Sequence, residues 1–211
     1  MLTCYTFGVV ITVAAYKGGV GKTTTAVHVA DALAAKAPTL LIDRERFGGS
    51  FRWYENGSDW RFDAVRGRDA TPELIAAYRT GHIVIDTPAA PTADELEAFA
   101  SRSDLVIVPT TPDALALELL TEAVRDLRRF KAPYRVLLTI VPPLPSREAE
   151  KARRALERAQ VPLFKTSIGR GAAFQQAALR STLVGNVRAH RSREHADAYA
   201  AVAEELKEVM K

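Results

Sequence analysis

Tyr16-Lys17-Gly18-Gly19-Val20-Gly21-Lys22-Thr23-Thr24 separates an apolar run, Val9–Ala15, from a helical pattern over Thr23–Lys36. Three glycines let backbone amides turn inward and approach an anion with no Cβ in the way. The helix that follows adds its positive N-terminal end. Lys22 is placed to bridge the β- and γ-phosphates of a nucleotide, and the Thr23 hydroxyl to coordinate Mg²⁺. A glycine-rich turn with a solvated lysine requires none of this order. Matching six such positions by chance has a likelihood on the order of 10⁻⁷ per window at ordinary residue frequencies. The strand–loop–helix context is also the one that phosphate binding needs.

Outward from that loop, short runs rich in Val, Ile and Leu alternate with helical patterns. Strands are expected over Val9–Ala15, Thr39–Asp43, His82–Asp86, Asp104–Pro109 and Tyr134–Val141. Near-continuous apolar composition marks strands buried on both faces. Helices are expected over Thr23–Lys36, Pro72–Arg79, Ala93–Ala100, Asp113–Phe130, Arg147–Gln160, Ala172–Arg180 and Arg193–Met210. The alternation predicts an α/β fold, a doubly wound, mostly parallel sheet with helices on both faces. Arg44–Asp69, with two tryptophans and Gly48-Gly49, shows no clear period. No repeat or flexible linker interrupts the chain, so residues 1–211 read as a single domain.

Composition excludes several classes. With 47% hydrophobic and 26% charged residues among 211, the chain is neither disordered nor too small to bury a core. The single cysteine, Cys4, leaves no internal disulfide framework, four-cysteine zinc site or self-contained iron–sulfur cluster. The apolar stretch Phe7–Ala15 is too short to span a bilayer and lacks the features of a secretory signal, so a cytoplasmic protein is expected. Met1–Thr6 receives no role. The histidines His28, His82, His190 and His195 are scattered, and surface positions are expected for His190 and His195.

The loop departs from the common GxxxxGK[ST] pattern in having Tyr16 at its first position and a second lysine, Lys17. It resembles the loop KGGVGKT[ST] of the ParA/MinD family of deviant Walker A ATPases, and the resemblance runs from Val9 to about Val209. It implies the P-loop NTPase fold, with ATP and Mg²⁺ as ligands. It also implies a nucleotide-sandwich homodimer in which Lys17 reaches the partner's phosphates. A second cation at the γ-phosphate would favour ATP over ADP through bonds that only the triphosphate accepts.

The same resemblance assigns other parts of the site. Leu40-Leu41-Ile42-Asp43-Arg44-Glu45 stands where relatives carry D-x-D-P-Q. Asp43 matches the first acid and Glu45 the second, which in the family orients the attacking water. Glutamate adds one methylene, and a shift of about 1 Å can cost roughly 10²-fold in rate; a capping carboxylate is the structural alternative for Glu45. Ile83-Val84-Ile85-Asp86-Thr87-Pro88 is an apolar strand ending in an acid, similar to the family's hhhDTPP stretch. Asp86 is expected to hold Mg²⁺ with Thr23, and Thr87 to begin a loop that senses the γ-phosphate. Pro109, in Val106–Asp113, falls in the segment lining the nucleotide. Thr139 stands where relatives often carry an asparagine near the base.

The net charge of +4 conceals a split: residues 145–193 sum to +8 and the remainder to −4. Arg147, Lys151, Arg154, Arg158, Arg170, Arg180, Arg188 and Arg191 are candidates for contacting a phosphate backbone without sequence readout. A solvated helix face with internal pairs such as Glu150–Arg154 is the alternative. The acidic stretch Glu194–Lys211 would be repelled by anionic lipid, so no membrane partner is expected. A family resemblance closest to small ParA-type proteins implies plasmid or chromosome partitioning. An ATP dimer would bind non-specific nucleoid DNA and be reset by hydrolysis stimulated by a ParB-like adaptor. Three alternatives stay open: positioning of a protein cargo, a nucleotide-binding module with negligible turnover, and a small-molecule ligase or kinase. With no helix-turn-helix before the loop, operator-specific repression is not expected.

Overall fold

The computed structural model describes residues 8–143 and 145–209. Cys4, Met1–Thr6 and the end of the last expected helix at Met210 lie outside them. Six strands, β1 (Val9–Val13), β2 (Thr39–Asp43), β3 (Asp63–Arg66), β4 (His82–Asp86), β5 (Leu105–Thr110) and β6 (Tyr134–Leu138), form one sheet in the order β3-β2-β4-β1-β5-β6. Every pairing is parallel. The crossovers run through α1 (Lys22–Ala34), α2 (Gly49–Glu55), α3 (Pro72–Ala77), α4 (Ala93–Ala100) and α5 (Ala114–Arg129). After β6 come α6 (Arg147–Arg158), α7 (Ala172–Leu179), a short 3-10 turn (Val184–Asn186) and α8 (Ser192–Val209).

Alternate residues of the central strands enter opposite cores, as the period of two demands. Ile11, Val13, Leu41, Val84, Leu105 and Ile107 pack with Ala26, Val29, Ala173, Val202 and Leu206 of α1, α7 and α8. Val106, Val108, Val136 and Leu138 meet Leu96, Leu120, Val124, Leu127 and Leu156 of α4, α5 and α6 on the other face. The expected doubly wound sheet is therefore observed, and it is parallel throughout. Two elements, β3 and α2, fall inside the stretch that showed no period. Of β3 only Ala64 is buried, and of α2 only Ser50 and Trp53, too few for a repeat to register.

His28 is not a surface group. Its ring stacks on Tyr199 at 4.8 Å and meets Trp53 and Phe174 edge-on at 5.9 and 5.8 Å. Nδ1 lies 2.8 Å from the Thr24 carbonyl, and Nε2 accepts from the Val184 amide at 3.0 Å. Burial holds its pKa down at about 4, so the ring is neutral and serves as a spacer between α1 and the 3-10 turn. His195, expected at the surface, is 2% exposed. It packs on Phe174 at 4.7 Å, and a Cβ at Gly171 would come within 2.2 Å of its Nε2. The ring occupies space that glycine leaves free.

The free edge of β6 is covered by residues 162–170, which hydrogen-bond along it through Val136, Leu138 and Val141. Two charged side chains hold that segment. Arg153 donates to the Phe164 and Lys165 carbonyls and to Ser167 Oγ. Glu205, buried on α8, accepts from the Lys165 and Thr166 amides at 2.7 and 2.8 Å. Removing it strands two amides, at a cost of about 3 kcal/mol. Glu205→Ala is expected to lower the thermal midpoint by roughly 6–12 °C. Glu205→Gln, which keeps one acceptor, should recover part of that loss; equal midpoints for the two variants would contradict the assignment.

Candidate functional site

Gly19 and Gly21 adopt φ values of +75° and +85°, which L side chains rarely accept. Gly18 has no such constraint, yet a Cβ built on Gly18, Gly19 or Gly21 meets no atom within 4 Å. Nothing in the fold excludes a side chain at Gly18; the open space above it is what a phosphate group would take. Gly21 caps α1 without a side-chain bond, so the first amides of that helix point into the same space. The cradle therefore fits a nucleotide's phosphates.

Three side chains fix the loop from outside. Tyr16 donates to Asp126 of α5 at 2.7 Å. The buried Thr139 hydroxyl donates to the Val20 carbonyl at 2.7 Å and lies 3.1 Å from that of Thr110. Thr139 thus pins the loop crown to the end of β5. Lys17 Nζ bonds both carboxylate oxygens of Asp113, at 2.8 and 3.1 Å. Asp113 also caps α5 through the Ala116 amide, and the Lys17 bond holds its pKa down at about 2. Lys17 is thus tethered at the rim, where Lys17, Gly19, Asp113, Ile140 and Arg170 line a cavity of about 240 Å³. Arg170, a candidate for DNA, opens onto this cavity.

Below the loop lie the acids. Asp43 and Asp86 are register partners across β2 and β4, and both are buried. Asp43 accepts from the Glu45 amide at 2.8 Å and the Phe51 amide at 2.7 Å, so it shapes the 43–51 turn. Among the described residues neither carboxylate oxygen of Asp86 has a hydrogen-bond partner, and the Ser50 hydroxyl is likewise buried and unpartnered. Burial first, and the Asp43 charge second, raise the pKa of Asp86 to about 7. The Thr23 and Ser50 hydroxyls and Lys22 moderate that rise without closing a hydrogen bond to it. An orphaned carboxylate with two hydroxyls beside it is a hard oxygen set that suits Mg²⁺. Thr23 and Asp86, expected from the sequence, are joined there by Ser50, which sequence reasoning missed; its only signal was its position after Gly48-Gly49.

Lys22 is 8% exposed, and its pKa is lowered by burial against the opposing pull of Asp86 and Glu45. Glu45 accepts from the Ala89 amide at 3.1 Å, joining the turns after β2 and β4. Thr87 is 1% exposed and spends its hydroxyl on the Val13 carbonyl at 2.9 Å. Pro109 is buried within β5. The structure thus gathers Lys17, Lys22, Thr23, Asp43, Glu45 and Asp86 at the C-terminal ends of β1, β2 and β4, the switch point where such sheets bind ligands. Thr87 and Pro109 stand behind them as framework.

A phosphate cradle with a paired acid on a doubly wound sheet defines a nucleotide-binding protein of the P-loop class. Residues 11–184 match the CobQ/CobB/MinD/ParA nucleotide binding domain, and the chain belongs to that family. It is 38% identical over 196 residues to maintenance of carboxysome distribution protein A of Gloeobacter kilaueensis, covering 90% of each chain. It is 31% identical over 150 residues to protein ParA of Rhizobium radiobacter, covering 64% of this chain and 65% of that one. Among solved structures, an ATP complex of Cyanothece McdA superposes with a TM-score of 0.75 at 17% identity, over 96% of this chain and 97% of the other. A plasmid partition protein of Borrelia burgdorferi bound to AMPPNP gives 0.72 at 19% identity, over 94% and 99%. The family's ParA and MinD members are ATPases.

Because burial penalises the charged form, the metal-free protein gives up stability as pH rises from the ordinary carboxylate range to about 7, and loses no more above it. Asp86→Asn removes that penalty. With chelator present, its advantage over the parent in thermal midpoint is expected to grow as pH rises from about 4 to 7 and to level off above, by about 2–4 °C per kcal/mol relieved. A pH-independent difference would contradict the assignment.

Proposed function

We propose that this protein is an ATP-driven positioning switch for a protein cargo. Two copies close around ATP, the closed dimer holds non-specific DNA, and hydrolysis stimulated by an adaptor on the cargo returns monomers that release it. The observation that carries the reading is the placing of Lys17. Its ammonium stands at the rim on Asp113 and leaves the cradle to Lys22. From the rim it can exchange one carboxylate for the partner's phosphates.

Within one subunit, Lys22 and the first amides of α1 would hold the β- and γ-phosphates. Thr23, Ser50 and Asp86 would hold Mg²⁺, which when bound offsets the phosphate charge during transfer. Glu45 would orient a water toward the γ-phosphorus, and its bond to Ala89 ties that position to the turn after the metal-holding Asp86. Attack forms one P–O bond, breaks the bond to the β-phosphate oxygen, and yields ADP and phosphate.

The 38% identical relative, named for carboxysome distribution and matched over 90% of both chains, supports a protein assembly as cargo over a plasmid. Arg147, Lys151, Arg154, Arg158, Arg180 and Arg188 are exposed and available to DNA. Arg154 lies 3.8 Å from Glu150, a weak exposed pair, whereas Arg191 is half-buried on Glu194. Among the described residues no helix is long and apolar enough to cross a membrane.

Retention on non-specific duplex at fixed salt is expected with ATP and not with ADP or without nucleotide. Equal retention in all three conditions would overturn the switch. Lys17→Ala is expected to keep nucleotide binding within about tenfold while losing ATP-dependent dimerisation in light scattering; dimerisation that survives would remove the trans role. Deleting the gene should scatter or cluster the protein cargo while leaving plasmid inheritance unchanged.

A further inference from the structure

Adjoining the nucleotide cleft, with Asp43 and Glu45 in the shared wall, a cavity of about 440 Å³ opens between the turns that follow β2 and β3. Its wall carries five arginines, Arg44, Arg46, Arg52, Arg66 and Arg68, against two acids, Asp43 and Glu45. Both acids already accept backbone amides. The guanidinium groups are poorly compensated. Arg66 lies 3.7 Å from Glu55 and Arg68 3.8 Å from its neighbour Asp69, both exposed pairs of small worth. Among the described residues the Arg44 guanidinium donates only to the Gly67 carbonyl. Arg46 and Arg52 have no ion pair among the described residues. Five like charges around one concavity repel one another, and an anion that enters relieves that repulsion at every position.

The cavity also carries an aromatic surface. Phe47 is 70% exposed, with the Arg46 guanidinium 5.6 Å from its ring centroid. Arg66 lies 4.6 Å above Phe51 on the neighbouring helix α2. Guanidinium forks match phosphate oxygens in pairs, and a bare phenyl face beside them accepts a planar base. An acidic peptide would use the arginines and leave Phe47 without a partner. A duplex keeps its bases stacked inside and is too wide for a concavity of this size.

We propose that this cavity is a second anion site, separate from the phosphate loop, that takes a nucleobase-bearing oligophosphate through Arg44, Arg46, Arg52, Arg66, Arg68 and Phe47. Two sources share that chemistry: a free nucleotide polyphosphate and a stretch of single-stranded nucleic acid. The site stands whether or not the positioning function proposed above is right, since it uses neither Lys17 nor the arginines after β6.

The test uses the full chain saturated with Mg-ADP, so that the phosphate loop is filled, and a fluorescein-labelled ten-nucleotide oligothymidylate read by anisotropy. Arg52→Glu/Arg68→Glu is expected to weaken binding tenfold or more and to flatten the dependence of log K on log salt by about 1.4. Arg52→Gln/Arg68→Gln, which spares the fold from charge reversal, should lose at least fivefold. Phe47→Ala should lose about fivefold, whereas Arg79→Glu/Lys131→Glu, two exposed residues at the opposite end of the sheet, should stay within twofold of the parent. Displacement of the strand by adenosine tetraphosphate at comparable concentration assigns the free nucleotide as the source; failure to displace it at tenfold excess assigns the strand. The site is overturned if the glutamine pair binds within twofold of the parent, or if the Arg79/Lys131 pair loses as much as the cavity pair. Displacement by a hexaglutamate peptide as effective as by the tetraphosphate would make it an acidic-peptide site instead.

Discussion

Two carboxylates, Asp43 and Asp86, are buried side by side on adjacent strands, and the site is organised around how each is satisfied. In a parallel sheet a pair of register partners points the same way, so the two cannot avoid each other. Asp43 is satisfied from within the chain by the amides of Glu45 and Phe51. That requirement bends the chain after β2 back over the sheet, starts α2, and sets Ser50 and Gly49 beside Thr23. Asp86 is left with no partner, which makes it the group that a cation completes. One acid builds the wall of the site, and the other stands in it with its oxygens unspent.

The phosphate loop shows the same division between framework and function. Tyr16 and Thr139 consume their hydroxyls on Asp126 and on backbone carbonyls, so the loop keeps its shape without a ligand. The energy to order it is supplied in folding, which leaves more of the phosphate interaction for binding. Lys17 is the exception. Its partner Asp113 is surface-accessible, so exchanging that carboxylate for a phosphate costs little desolvation.

Five of the six strands named above were legible because they carry the apolar composition that burial in a parallel sheet demands. β2 and β4 coincide with their expected spans, and the others differ by a few residues at their ends. β3 and α2 were not legible. Asp63-Ala64-Val65-Arg66 is an edge strand with one buried residue, and α2 is held by the tertiary bond from Asp43 to Phe51 rather than by any period. Lys22 and Thr23 could be read from the spacing of the loop, and Lys17 and Asp86 from the family resemblance. Ser50, Asp113 and Thr139 could not, because each acts across the fold on a partner remote in sequence. Two histidines taken as surface groups or left unassigned turned out to be packing units, since a lone imidazole gives no local sign of what will cover it.

The helix α2 is fastened at two neighbouring residues to opposite parts of the molecule. The Phe51 amide is held by Asp43, and the Trp53 indole donates to the Thr182 carbonyl at 3.1 Å. Between these anchors there is one residue and no slack. Any displacement of the turn that carries Glu45 must therefore carry the segment from Arg180 to Val184 with it, or break the indole bond. That segment also carries the amide that His28 accepts from α1. Through α2 the turn that carries Glu45 is tied to the start of the basic segment beyond α7, with the Trp53 indole as the far anchor.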